Sequence, residues 1–170
     1  KVIDDLKYEL NVGQNDELVT ADAFAGSGIV SRLLKTKSTT LYTNDIAGYS
    51  KTLNECFLST PSKNEQQNIQ KIIDAANKFA HADGDGDSEP WIRKHWAPDG
   101  KPKKGERVYF TEKNALLIDK YMHFIKNGNY PKKYKSYLLA SLLVKSSIHN
   151  NTNGQFSAFY KDENGIGKYG

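Results

Sequence analysis

A single cysteine, Cys56, stands in 170 residues, which excludes an internal disulfide framework and fits a reducing compartment. It sits among Leu53, Phe57 and Leu58, the setting of a packed thiol rather than of a nucleophile. No apolar run approaches the length of a membrane span, and no signal peptide opens the chain. The expectation is a soluble protein with no membrane partner. An excess of one charge is also missing: 24 Lys and Arg face 20 Asp and Glu, and the net charge of +4 permits a nucleic-acid partner without demanding one. A metal site is not expected either. Asp83-Gly84-Asp85-Gly86-Asp87 invites a calcium reading, but an EF loop counted from Asp83 needs Gly at its sixth position and Glu at its twelfth. Ser88 and Lys94 stand there, so a flexible acidic loop is expected.

What is present centres on Asp22-Ala23-Phe24-Ala25-Gly26-Ser27-Gly28. A short apolar run, Leu18 to Ala21, precedes it, and Ile29 to Leu34 follow, so the stretch reads as strand, glycine turn, helix. Glycine permits positive φ and a close approach of backbone to a ligand. A helix start adds free N–H groups, and such turns at the carboxyl ends of strands are where open α/β sheets bind nucleotides. Two nucleotide classes stay open on the pattern alone. A dinucleotide fingerprint wants Gly or Ala at the third position, where Ser31 stands, and Phe-x-Gly-x-Gly after an Asp is closer to an S-adenosylmethionine loop. Leu41-Tyr42-Thr43 forms a second strand ending in Asn44-Asp45, and an acidic residue at that tip suits the two ribose hydroxyls of an adenosyl group.

Asp22 to Arg32, followed by Asn44-Asp45-Ile46-Ala47-Gly48-Tyr49-Ser50-Lys51-Thr52-Leu53-Asn54, resembles the opening of site-specific N6-adenine DNA methyltransferases of restriction–modification systems, in the branch that includes type IIS modification enzymes. The likeness continues more weakly through Arg107 to Glu112, Leu138 to Leu143 and Asn151 to Phe156. It implies S-adenosyl-L-methionine as cofactor, double-stranded DNA as partner, and a bacterial or phage-type cytoplasmic enzyme. By resemblance, Phe24, Gly26 and Gly28 hold the cofactor, Asp22 faces its methionine end, Asp45 binds the ribose and Ile46 packs on the adenine.

In chain order, residues 1–10 have the spacing of an amphipathic helix. Strands at about 17–24 and 40–44 alternate with helices at about 28–36 and 47–58, which implies a parallel sheet with right-handed crossovers. Ser62-Lys63-Asn64-Glu65 is a capping box that opens a helix to about His81, with Ile69, Ile72, Ile73, Ala76, Phe79 and Ala80 on one face. Residues 89–110 read as irregular and carry the most basic stretch, with Trp91 and Trp96 interleaved. That composition suits either phosphate contact with base stacking or a solvated loop pinned by its tryptophans. Helices at about 112–126 and 132–148 follow, the first opened by Thr111 and the second by Pro131. Lys132 and Lys133 are candidates for phosphate contact, and Asn151, Asn153 and Gln155 in the amide-rich tail for base or backbone contact.

The fold class expected is α/β, a partial Rossmann-like methyltransferase sheet with a largely helical insert. Residues 1–58 would be the first part of the cofactor domain, 59–150 the insert and candidate DNA-recognition region, and 151–170 a segment leading towards catalysis. The family's Asp-Pro-Pro-Tyr motif, which receives the adenine amino group, does not occur, since no two of the five prolines are adjacent. No catalytic residue is therefore assigned. The expectation is the front part of a methyltransferase, inactive alone, completed by the rest of the enzyme or by a second subunit. Two alternatives remain: a non-catalytic DNA-binding or assembly subunit, and a nicotinamide-dependent oxidoreductase.

Overall fold

A computed structural model describes residues 2–9, 11–13, 18–84 and 89–169. Lys1, Leu10, Glu17, Gly170 and the Asp85 to Ser88 part of the expected acidic loop lie outside the described residues. Contacts divide the chain into two compact units, Lys1–Thr60 and Pro61–Gly170.

The first unit runs α1 (Val2–Glu9), β1 (Val19–Asp22), α2 (Ile29–Lys35), β2 (Thr40–Thr43) and α3 (Gly48–Phe57). β1 and β2 pair in parallel with Val19 opposite Thr40 and Asp22 opposite Thr43, so both strands end at the same level. The strands hold four residues each, shorter than the pattern suggests. Among the described residues the two strands make a small parallel sheet, which is the coarser form of the α/β expectation. Side chains of α2 reach α3 at two places. The Arg32 guanidinium lies 4.7 Å from the centre of the Phe57 ring. Lys35 Nζ donates to the Leu58 and Ser59 carbonyls, at 2.6 and 3.1 Å, where α3 runs out of internal partners. Small and polar side chains dominate the buried set here: Ala25, Ser31, Ser50 and Asn54, with Leu53 as the large apolar member. Val19, Ile29, Val30, Leu33 and Tyr42 remain exposed.

The second unit contains α4 (Lys63–Ala80), α5 (Trp91–Trp96), α6 (Glu112–Asn127), a 3-10 turn over Lys132–Tyr134 and α7 (Lys135–Ile148). Both halves of the capping box at Ser62 and Glu65 are formed, so α4 begins where its sequence says. Thr111 caps α6 by accepting the Asn114 N–H at 3.1 Å. Ala76, Ile125 and Leu138, one from each long helix, form the core, with Ile72, Ile73, Tyr121 and Phe124 packed around it.

One expectation needs correcting in this unit. Residues 89–110 are not irregular throughout, because Trp91–Trp96 is helical. Its first turn is fixed from α6: the Asp119 carboxylate accepts the N–H groups of Ile92 and Arg93 at 2.8 Å each. Residues 151–169 fold back onto residues 96–110. Tyr109 packs against Trp96, Phe156 and Phe159, and the Tyr169 hydroxyl donates to the Phe110 carbonyl at 2.9 Å. Trp96 is thus a pin for this loop, whereas Trp91 is 57% exposed. Among the described residues, no helix is long and apolar enough to cross a membrane. None of their His, Cys, Asp and Glu side chains form a group of three placed to hold a metal ion.

Candidate functional site

The turn after β1 is held by short backbone bonds. Gly28 N–H donates to the Ala25 carbonyl at 2.7 Å, and Ala25 N–H donates across to Asn44 at 3.0 Å. Gly26 and Gly28 have φ of 50° and 78°, the left-handed region in which a side chain is strained. Their surroundings differ. A Cβ built on Gly26 meets nothing within 4 Å, whereas one on Gly28 would lie 2.6 Å from Asn54 Oδ1. Gly26 therefore faces open space, and Gly28 faces α3.

Asp45, at the tip of β2, closes the arrangement. Its Oδ2 accepts the Gly26 N–H and its Oδ1 the Ala47 N–H, each at 2.8 Å. These two bonds, Ala47's first, hold the carboxyl below the ordinary carboxylate range. A carboxylate has about four acceptor positions, so each oxygen retains capacity for one more donor. Phe24 is 92% exposed and Ile46 fully exposed, one on each of the loops that Asp45 joins. Open space at Gly26, spare acceptor capacity at Asp45 and bare apolar side chains beside them fit a nucleoside with a diol and a flat base.

Asp22 has a different attachment. Its Oδ2 accepts the hydroxyl of Ser31 at 2.6 Å, and Ser31 is wholly buried. The residue that spoils a dinucleotide fingerprint is thus a packed side chain that steadies the last residue of β1. A cavity of about 560 Å³ opens beside the end of β2 and along α3, lined by Asn44, Asp45, Ser50 and Asn54 among others. Asp45 is the predicted site residue that reaches it. Asp22, Phe24, Gly26, Gly28 and Ile46 lie outside its lining.

Sequence reasoning passed over Asn54. Its Nδ2 donates to the Ser50 carbonyl at 2.9 Å and lies 3.2 Å from Ser50 Oγ, and its Oδ1 is buried without a hydrogen-bond partner. Leaving such a carbonyl unpaired costs about 1–3 kcal/mol. Nothing in the composition of α3 signals this, since the relation depends on how closely α3 approaches Gly28.

In the second unit the predicted DNA contacts fare unequally. Lys132 is exposed on the 3-10 turn. Lys133 is exposed too, but its ammonium donates to Glu65 Oε1 at 2.9 Å and lies 4.9 Å from the Tyr134 ring centre. That ion pair, together with the Ser62 bonds, pulls the Glu65 carboxyl down to about 2. Asn153 and Gln155 are exposed on the loop after α7. Asn151 is buried at 5% exposure and donates its amide to the Val108 carbonyl at 2.8 Å, so it fastens the tail to residue 108. Lys94, Lys101, Lys103 and Lys104 are exposed around α5 and the loop after it, with Trp91 open beside them on α5.

The model for the D12 class N6 adenine-specific DNA methyltransferase family matches residues 1–166. Modification methylase LlaI of Lactococcus lactis subsp. lactis is 32% identical over 150 residues, which is 83% of this chain and 23% of the relative. Type II methyltransferase M.NlaIII of Neisseria lactamica is 31% identical over 148 residues, 85% of this chain and 41% of its own length. Type II methyltransferase M.CviAII of Paramecium bursaria Chlorella virus 1 is 29% identical over 144 residues, with 83% and 40% covered. The chain spans well under half the length of these relatives. No solved structure matches it.

Proposed function

The chain belongs to the D12 class of N6 adenine-specific DNA methyltransferases, and from that premise we propose that its first unit carries part of an S-adenosyl-L-methionine site. The observation that carries the reading is the bond from Gly26 N–H to Asp45 Oδ2. It joins the glycine turn after β1 to the acidic tip of β2, the two features an adenosyl group needs side by side. In this reading the free acceptor positions of Asp45 take the ribose hydroxyls, Ile46 covers the adenine, and the open face of Gly26 lets backbone approach the ligand. Phe24 packs from the other loop. Asp22, steadied by Ser31, faces the methionine end.

The bound group supplies a methyl carried on a sulfonium, ready for direct displacement by the N6 nitrogen of adenine in DNA. This chain's own residues bind and orient it. Asp-Pro-Pro-Tyr is absent from the 170 residues, so no residue here is assigned to receiving the target base, and these residues alone would not methylate. β1 and β2 are then the beginning of a Rossmann-like sheet, a reading supported by the exposed apolar side chains of Val19 and Tyr42.

The second unit is proposed to meet double-stranded DNA. Lys132 and the exposed lysines around α5 would contact phosphates, and Asn153 and Gln155 would reach the duplex from the loop after α7. Lys133 could join them only by leaving Glu65. Calorimetry with S-adenosylhomocysteine on the full-length protein and on Asp45→Ala tests the cofactor reading. Binding that falls sharply in the variant, with no binding of NAD, is the expected result.

A further inference from the structure

We infer that Asn54 is a positioning residue of the adenosyl site, holding the glycine turn at the height from which Gly26 and Asp45 meet the ligand. The inference rests on the cofactor reading above and adds a residue to it.

Three observations carry it. The carboxamide of Asn54 stands directly behind Gly28, so close that a Cβ there would be 2.6 Å from Oδ1 and 3.2 Å from Cγ. The other end of the carboxamide is fixed, because Nδ2 donates to the carbonyl of Ser50, one turn earlier in α3, and Ser50 is itself 1% exposed. Oδ1 is buried with no partner.

The last point separates positioning from filling. A residue that merely filled the space behind Gly28 would be served better by an apolar side chain of similar size, which has no carbonyl to strand away from water. Asn54 retains its carbonyl against the one glycine of the turn that faces inward, while Gly26, two residues earlier, presents its N–H to Asp45. Moving Gly28 outward would carry Gly26 away from Asp45, and moving it inward is blocked by a side chain anchored on Ser50. Such groups, kept at a cost in stability, are expected at functional sites.

The test uses the full-length protein, S-adenosylhomocysteine calorimetry and the thermal midpoint without ligand. Asn54→Leu keeps the branching and heavy-atom count of the side chain, in a somewhat larger volume, and removes the unpaired carbonyl. The expected result is a midpoint that changes little, the relieved carbonyl offsetting the added bulk, with affinity lowered roughly tenfold or more. Undiminished affinity in Asn54→Leu overturns the inference, as does a loss matched by a fallen midpoint. A cycle of Gly28→Ala, Asn54→Ala and the double variant gives a second reading. Pairing across this contact predicts that Asn54→Ala, which weakens binding in the native background, recovers binding in the Gly28→Ala background by removing the collision. Additive losses overturn the inference. Wild-type protein that fails to bind S-adenosylhomocysteine overturns the cofactor reading itself, whereas binding by wild type that Asn54→Leu retains overturns the role of Asn54 alone.

Discussion

The Gly26 N–H donates to Asp45 Oδ2 at 2.8 Å, so the turn after the first strand and the tip of the second form one hydrogen-bonded unit. Donors to the ionised form keep the Asp45 carboxyl below its ordinary value of 3.8. For a lowered carboxyl, the stabilising charge is fully present above the ordinary value and is lost as pH falls through the lowered one. Affinity for S-adenosylhomocysteine should therefore be insensitive to this group at and above its ordinary value and fall only as pH drops through the lowered one. Asp45→Asn should bind more weakly at neutral pH and lack that acid limb, as measured by ligand titration across pH.

The two glycines of the turn should respond differently to alanine. Gly28→Ala combines a left-handed φ with a collision against Asn54 and should destabilise the protein by about 2–4 kcal/mol. Gly26→Ala has the backbone strain without the collision, and about 1–2 kcal/mol is expected. The order for ligand affinity per unit of stability lost should be the reverse, because the new methyl of Gly26→Ala occupies the open face. Urea unfolding alongside calorimetry measures both.

Glu65 links the start of α4 to Lys133. Its carboxyl is lowered from the ordinary 4.5 to about 2, first by the Lys133 bond and then by the Ser62 bonds. The stability contributed by the capping box and the ion pair should be fully present above pH 4.5 and be lost as pH falls from there through about 2. Thermal midpoints across that window should fall more steeply in wild type than in Glu65→Gln, which has no charge to lose.

Asn151 and Gln155 both come from the amide-rich tail and should separate cleanly. Asn151→Ala leaves the buried Val108 carbonyl without its donor and should cost about 1–3 kcal/mol in unfolding experiments. Gln155→Ala, at an exposed position, should leave stability unchanged and weaken DNA binding in an electrophoretic or fluorescence assay.

What the sequence made legible was local. Ser62 and Glu65 announce the start of α4 because a capping box needs only residues three apart, and the glycine turn with its following acidic strand tip is equally compact. α5 was hidden because its first turn is completed by Asp119, a residue 26 and 27 positions away. The burial of Asn151 was hidden for a similar reason. An amide in a tail looks the same whether it will meet a base or, as here, a carbonyl 43 residues earlier. Ser31 was noticed as a missing glycine, and its bond to Asp22 emerged only from the packing of α2 on β1. Asn54 carried no signal, because closeness to Gly28 is a property of the folded loop.

Calorimetric titration of the full-length protein with S-adenosylhomocysteine, beside Asp45→Ala and with NAD as the competing ligand, tests the central claim most directly. Binding by the wild-type protein, weakened at least about tenfold by Asp45→Ala and absent with NAD, is the predicted result. Equal affinity in wild type and Asp45→Ala, or a full-length protein that ignores the adenosyl compound, would contradict it.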